Sequence, residues 1–328
     1  MIITRTPFRV SFFGGGTDYP AFYREEGGAV LSTTINKYCY ITTRFLPPFF
    51  DHAFRIRYTK REETQTVDQI QHPSVRECLR FMGVDQGIEM VHTSDIPAMS
   101  GIGSSSAFTV GFLNSLFALR GQMVTKRKLA FDAIHVEQDM IHEAVGSQDQ
   151  VAAAFGGLNR IVFDARGDIF VQPVTVGEER TNALQSALML CFIGFPRYAS
   201  DIARQQLQAM KERLGELRTM RQMVDQAVEI LGGPREDLDD FGRLLHESWT
   251  LKRQLSGSIT TPQIDAIYAA ARGAGALGGK LCGAGGGGFL LLYVPPDRQS
   301  AVRAALKDQL FVPFRFESLG SHVIFYAQ

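Results

Sequence analysis

The sequence predicts an α+β protein built as two domains, and three observations lead there. At 328 residues the chain exceeds one average domain. Strand and helix signals mix in both halves without the long βαβαβ series of a parallel α/β fold. Composition shifts at EERTNALQS, residues 178–186, which sets an expected division into 1–182 and 183–328.

Strand signals dominate the start: RVSFF, AVLSTTI and YCYITTRF are β-branched and aromatic runs bounded by glycine or proline. Residues 61–85 read as one or two helices around HPSVRECLRFMG, and IEMVHTSDI as a strand closed by Pro97. AFTVGFLNSLFALRG is apolar on nearly every side and predicts a helix buried all round. KRKLAFDAIHVEQDMIHEAVG predicts a second helix, and AAAFGGLNRIVFDARGDIFVQPV a hairpin turning at RGD. In the second half LMLCFIGF reads as a strand. A long amphipathic helix is expected from about Asp201 to Leu231, stopped by Gly232, Gly233 and Pro234. Thr261-Pro262 opens another helix. GFLLLYV, DRQSAVRAALKDQ, PFRFES and HVIFYA then give strand, helix, strand and strand.

Lys plus Arg and Asp plus Glu number 34 each, so no long-range field draws the chain to nucleic acid or anionic membranes. No apolar run approaches the ~18 residues of a membrane helix. The four cysteines are scattered without CxxC spacing, which fits reduced thiols in a cytoplasm. MIITRTPFRVSFF lacks the apolar core and cleavage site of a signal peptide, so a cytoplasmic location is expected.

The informative stretch is IPAMSGIGSSSA, residues 96–107. It follows a strand and opens the buried helix, where free N–H groups and the helix dipole can hold an anion. Gly101 and Gly103 would let the backbone approach a ligand. The string is neither a Walker A motif nor GxGxxG. A glycine turn with a serine N-cap explains it as well as a phosphate cradle does.

On a helical wheel Glu137 falls in the middle of the apolar face formed by Ala130, Ile134, Val136, Met140, Ile141 and Ala144. A carboxylate there needs a cation or strong hydrogen bonds, from a structural arginine or from a functional metal. Asp149, twelve positions on, is either a cap or a group that orients or deprotonates a hydroxyl. His135 and His142 point away from Glu137 on the wheel and read as surface residues rather than zinc ligands. FFGGGTDYP places Asp18 beyond the first strand, where it could hold a polyol, and GGKLCGAGGGGFLLLY crowds glycines before a strand. Three glycine-rich loops with a buried Glu and an exposed Asp suggest a polyphosphate site.

TPFRVSFFGGGTDY, IPAMSGIGSSSA and KLCGAGGGGF together resemble the three ordered motifs of the GHMP kinases, over almost the full length of the chain. The resemblance implies an N-terminal domain with a left-handed βαβ crossover, a ferredoxin-like C-terminal domain, and ATP and its acceptor in the cleft between. It implies that Gly101, Gly103, Ser104, Ser105 and Ser106 cradle the phosphates of ATP. Ser105 and Glu137 would hold Mg2+, Asp149 would be the catalytic aspartate, and Arg9 would stabilise developing charge. Asp18 is similar to the sugar-binding aspartate of the galactokinase branch, with Gly15, Gly16, Thr17, Gly283 and Gly285 on the substrate side.

Galactokinases carry Glu-His where this chain has Gly15-Gly16, which implies a larger or differently shaped acceptor. GGGTDYP, FPRYASDIARQQ and KLCGAGGGGF resemble the branch that phosphorylates the anomeric hydroxyl of D-glycero-D-manno-heptose 7-phosphate for surface glycans such as capsules, with fucokinase domains near relatives. Such an acceptor calls for a basic contact, for which Arg197 and Lys280 are the candidates. The rivals are another sugar 1-kinase and a non-catalytic sugar or nucleotide sensor. Expected partners are ATP and a phosphorylated sugar, not nucleic acid or membrane, with a homodimer as one reading of the assembly.

Overall fold

The computed structural model describes residues 1–194, 199–233 and 237–327. Strand β1 (Ile2–Phe13) runs through helix α1 (Pro20–Glu26) into β2 (Gly28–Phe45). AVLSTTI and YCYITTRF are therefore one 18-residue strand rather than two. Its β-branched and aromatic residues continue through Asn36 and Lys37 without a turn-forming pair to break them. Arg61–Thr64, expected to be helical, pairs as strand β4 with β3 (Phe54–Arg57). The helix of that region, α2, covers only Pro73–Met82 and ends on Gly83 in the left-handed region. Strand β5 (Ile88–Ser94) then lies parallel to β3 and antiparallel to β2.

Helix α3 (Ser104–Leu119) is buried at every position from Ser106 to Phe117, as its uniformly apolar sequence requires. The next helix, α4, ends early: it covers Lys126–His135, and Val136–Met140 continue as a single π-turn. There the Ile141 N–H donates to Val136 O at 2.9 Å, an i to i+5 bond. Helix α5 (Gln148–Phe155) follows, then the predicted hairpin of β6 (Leu158–Phe163) and β7 (Ile169–Pro173).

Helix α6 (Glu178–Ala187) leads into β8 (Leu188–Phe192). The long helix expected from Asp201 is two helices, α7 (Ala199–Ala209) and α8 (Leu214–Gly232). A tight turn separates them, in which the Arg213 N–H donates to Met210 O. Pro234 lies outside the described residues. Helix α9 (Asp239–Leu255) and helix α10 (Pro262–Gly273), capped by the Thr261 hydroxyl, precede β9 (Gly278–Leu281) and β10 (Phe289–Tyr293). Helix α11 (Gln299–Ala305) and strands β11 (Leu310–Val312), β12 (Phe316–Glu317) and β13 (His322–Tyr326) close the chain.

Two sheets organise these elements. The smaller has the order β11-β8-β10-β9, all antiparallel, which is the 4-1-3-2 order of a ferredoxin-like unit. The larger has nine strands along β13-β1-β2-β5-β3-β4, with β12 and β6 also on β2 and β7 on β6. The end of the chain thus departs from the expected contiguous division at 182/183: β13 pairs with β1 and β12 with β2. Strand periodicity reveals a buried face but not a partner, so PFRFES and HVIFYA gave no sign of returning to the first sheet. Helices α8 and α9 pack against β1 as well, and Val224 and Phe241 share a core with Phe8 and Phe12. The second half of the chain is thereby seated on the strand that carries Arg9.

Candidate active site

Gly103 precedes α3 with φ 74°, and no side chain caps the first turn. The serine N-cap reading of GIGSSS therefore fails, and the first-turn amides point at an anion-binding position. Ser104 is half-buried, Ser105 exposed and Ser106 buried. The loop is held from two sides. The Arg9 N–H donates to Ile102 O at 3.1 Å, and the Phe289 N–H donates to Ser100 O at 3.1 Å. Gly101 lies directly against the third glycine-rich loop: a Cβ on Gly101 would sit 2.6 Å from Cys282 O, and one on Gly283 2.7 Å from the Gly101 Cα. Only glycine allows this approach, which explains why two glycine clusters distant in sequence recur together.

Glu137 is wholly buried in the π-turn, in agreement with its place on the apolar face. The Ser106 hydroxyl donates to Glu137 Oε2 at 2.8 Å, and Gln150 Nε2 donates to the same oxygen. Among the described residues Oε1 has no hydrogen-bond partner. Burial foremost, with nearby Glu143, pushes this carboxyl up to about 7 against the lowering effect of the Thr109, Ser106 and Gln150 side chains. The hydroxyl hydrogen-bonded to Glu137 is that of Ser106, while Ser105, expected to share a magnesium ion with Glu137, lies one helical step away with its side chain exposed. An orphaned carboxylate oxygen beside an anion-binding helix start fits magnesium, which takes one or two carboxylates and fills its shell with phosphate oxygens and water. Among the described residues no group of three His, Cys, Asp or Glu side chains could hold a metal without such help.

Asp149 sits in the first turn of α5 and meets Arg9 of β1 in a two-point ion pair: Arg9 Nε donates to Oδ1 and Nη2 to Oδ2, both at 2.7 Å. Arg9 Nη1 donates to Gly101 O at 2.8 Å, tying the pair to the glycine loop. Burial lowers the guanidinium's affinity for its proton, but the Asp149 carboxylate outweighs this and raises it. The Asp149 side chain remains 24% exposed against 5% for Arg9, so the carboxylate faces open space while its partner lies beneath.

That space is a cavity of about 610 Å³ lined by Arg9, Asp149, Asp18, Gly15, Gly16 and Gly283 among others. Asp18 is buried; its Oδ1 accepts from the Gly16 N–H at 2.9 Å, and burial, foremost, raises its pKa. Gly146 makes room for it, since a Cβ there would lie 1.9 Å from Asp18 Oδ2. Gly146→Ala should therefore cost about 1–3 kcal/mol of stability as overpacking. Gly15→Ala, whose Cβ meets nothing nearer than 3.8 Å, should change it by less than about 0.5 kcal/mol. Urea titration of both variants checks the contrast; equal midpoints would contradict it.

Two described residues expected on the substrate side, Thr17 and Gly285, do not line the cavity, and neither do Glu137 and the expected phosphate-loop residues Gly101, Gly103, Ser104, Ser105 and Ser106. Thr17 is fully buried and its hydroxyl lies 2.8 Å from both Gly14 O and Ala29 O, with one proton to share between them, so it clamps the loop instead of meeting substrate. Gly285 packs on the backbone of Ile259, which a Cβ would approach to 2.8 Å. Arg197 lies outside the described residues. Lys280 lines the cavity as expected, buried, and Nζ donates to Phe12 O at 2.9 Å. Lys252 of α9 was not anticipated; it lines the same cavity beside Lys280, and its position on an apolar stripe could have revealed it. Met99 and His142, non-glycine residues with φ of 58° and 61°, also border the cavity and were not singled out for it.

Comparison with known proteins agrees with this architecture. Residues 71–157 match the GHMP kinases N-terminal domain and residues 223–311 the GHMP kinases C-terminal domain, together more than half of the chain. The chain is 27% identical to a D-glycero-alpha-D-manno-heptose 7-phosphate kinase of Campylobacter jejuni over 95% of each chain. It is 29% identical to a galactokinase of Mycobacterium tuberculosis over 65% of this chain and 66% of the other. The crystal structure of a D-glycero-D-manno-heptose 1-phosphate kinase from Bacteriodes thetaiotaomicron superposes with a TM-score of 0.81 at 23% identity, covering 100% of both chains.

Proposed function

Because the chain belongs to the GHMP kinase family and is an ATP-dependent sugar kinase, we propose that it phosphorylates the anomeric hydroxyl of D-glycero-D-manno-heptose 7-phosphate, giving the 1,7-bisphosphate. The observation that carries this reading is the Arg9–Asp149 ion pair, which faces the same cavity as Asp18 and adjoins the uncapped start of α3, where a Cβ on Gly103 would lie 3.3 Å from Asp149 Oδ2. A relative of similar length carries the heptose 7-phosphate activity in its name. Gly15 and Gly16 line the cavity without side chains of their own.

The acceptor's hydroxyls lie against Asp18, which positions the anomeric oxygen near Asp149. Asp149 accepts the proton of that hydroxyl as its oxygen attacks the γ-phosphorus of ATP. The new O–P bond forms in line with the breaking bond to the β-phosphate oxygen, and ADP leaves. Each Asp149 oxygen keeps a lone pair for this proton beyond its bond from Arg9. Arg9 fixes the carboxylate's orientation, and its charge offsets that developing on the transferred group. The amides of Gly101 through Ser106 receive the phosphates of ATP. Glu137 and the serine hydroxyls of α3's first turn would hold Mg2+, which would neutralise charge on the phosphates of ATP. Positioning and electrostatics supply most of the acceleration, since phosphoryl transfer leaves the protein little covalent work.

An acceptor panel tests the reading. With ATP and magnesium, heptose 7-phosphate should give a kcat/KM at least about 100-fold above mannose, fucose or galactose, because a site built around a charged group rejects acceptors that leave it unpaired. Measured by ADP release, faster turnover on an unphosphorylated sugar would overturn the substrate. Nucleotide binding without turnover on any acceptor would identify a sensor.

A further inference from the structure

The cavity holds more positive charge than the transfer chemistry above uses. Arg9 is neutralised by Asp149, and Asp18 accepts backbone N–H groups. Lys252 and Lys280 are 6% and 2% exposed, and both line the cavity. Their ammonium groups rest on carbonyls alone: Lys252 Nζ donates to Leu281 O at 3.3 Å and Gly283 O at 2.5 Å, and Lys280 Nζ to Phe12 O at 2.9 Å. Neither has a carboxylate bonded to it among the described residues. Glu143 and Arg204 border the same cavity and leave this imbalance in place.

Two buried ammonium groups side by side, with no carboxylate bonded to either and only the field of Asp18 and Asp149 to offset them, are costly. The strain shows as proton affinities pushed down by burial, foremost: to about 8 for Lys252, and to about 7 for Lys280, where the Lys252 charge adds to it. The two come from opposite elements, helix α9 and strand β9, so the fold brings them together on one wall. A purely structural tether to a carbonyl needs one lysine and no opening to the cavity. Lys280 also reaches β1 at Phe12, three residues beyond Arg9, so this wall adjoins the ion pair.

We propose that Lys252 and Lys280 together form a seat for a phosphoryl dianion on the wall of the acceptor cavity. This deepens the function proposed above and rests on it for the identity of the acceptor. The dianion is either the phosphate that the acceptor already carries or the group in transfer, and the chemistry of the seat is the same for both.

The test uses the full-length protein with Lys252→Met and Lys280→Met. Loss of a charge-assisted hydrogen bond at the seat should cost about 10- to 100-fold. If the seat holds the acceptor's own phosphate, KM for the phosphorylated acceptor rises by that factor while KM for ATP stays within about threefold. If it holds the transferring group, kcat falls by that factor and both KM values stay. Either result supports the seat and identifies its occupant. Folded variants with kcat and both KM values within about threefold of the parent would overturn it.

Inorganic phosphate gives a second readout that needs neither turnover nor a folded variant. With ADP saturating the start of α3, it should raise the melting temperature of the unmodified protein saturably at millimolar concentration, and compete with the seat's occupant in kinetic assays. No saturable shift up to tens of millimolar would overturn the seat. Should heptose 7-phosphate prove not to be a substrate, the acceptor reading fails while the phosphate titration still decides the seat.

Discussion

Replacing Asp149 by asparagine should lower kcat by about 10²- to 10⁴-fold while ATP affinity stays within about threefold. Asparagine keeps the shape and one acceptor oxygen for Arg9 but cannot take the proton of the anomeric hydroxyl. It also removes the charge that holds the guanidinium, which is 5% exposed. Some stability is lost for that reason, because a buried cation is left without its partner. Steady-state ADP release and calorimetric titration with ATP separate the two effects. Residual turnover within about tenfold of the parent would remove Asp149 from the proton transfer and leave it a positioning role on Arg9.

The second large effect is expected at Glu137. Glu137→Gln preserves the bonds from Ser106 and Gln150 but removes the charge of a carboxylate whose second oxygen is unpartnered. Loss of several kcal/mol of charge stabilisation corresponds to a fall in kcat of at least about 100-fold. The magnesium concentration for half-maximal activity should rise as well. The same substitution has an opposite signature in the protein free of metal and nucleotide. The Glu137 carboxyl is raised to about 7 by burial, so the folded state holds its proton more tightly than the unfolded chain does. Its contribution to stability is fully present below about pH 4.5 and is lost as pH rises through about 7, amounting to a cost on the order of 3 kcal/mol. That pH-dependent loss should be absent in Glu137→Gln. Denaturant midpoints at pH 5.5 and 8 (roughly the two ends of the window) measure it; equal pH slopes in the two proteins would contradict the assignment of the buried charge.

Much of the site was legible because its residues break local rules. Glu137 interrupts an apolar stripe, and the glycines of the first and third clusters are too many for ordinary turns. The wheel placed Glu137 correctly although the α-helix ends at His135, because two positions into a π-turn the accumulated angular error is still small. The same test applied to α9 would have found Lys252, which follows Phe241, Leu245, Ser248 and Trp249 on the buried face. Which serine meets Glu137 was not legible: Ser105 and Ser106 differ by one helical step, and only the seating of α3 decides between them. Thr17 stands beside Asp18 in sequence but turns the other way, into the carbonyls of Gly14 and Ala29. The contact of Gly101 with Gly283 was equally hidden, since it depends on the docking of two loops about 180 residues apart. Long-range pairing explains the chain's end too, where short strands join β1 and β2 of the first sheet.

The proposed reaction transfers phosphate from ATP to one oxygen of one acceptor. Phosphorus NMR of the reaction with heptose 7-phosphate, ATP and magnesium tests it most directly. The account predicts a new phosphate resonance split by the anomeric proton, growing in step with ADP while the 7-phosphate signal persists. ADP formed without that resonance, or a new sugar phosphate coupled to any proton other than the anomeric one, would contradict it.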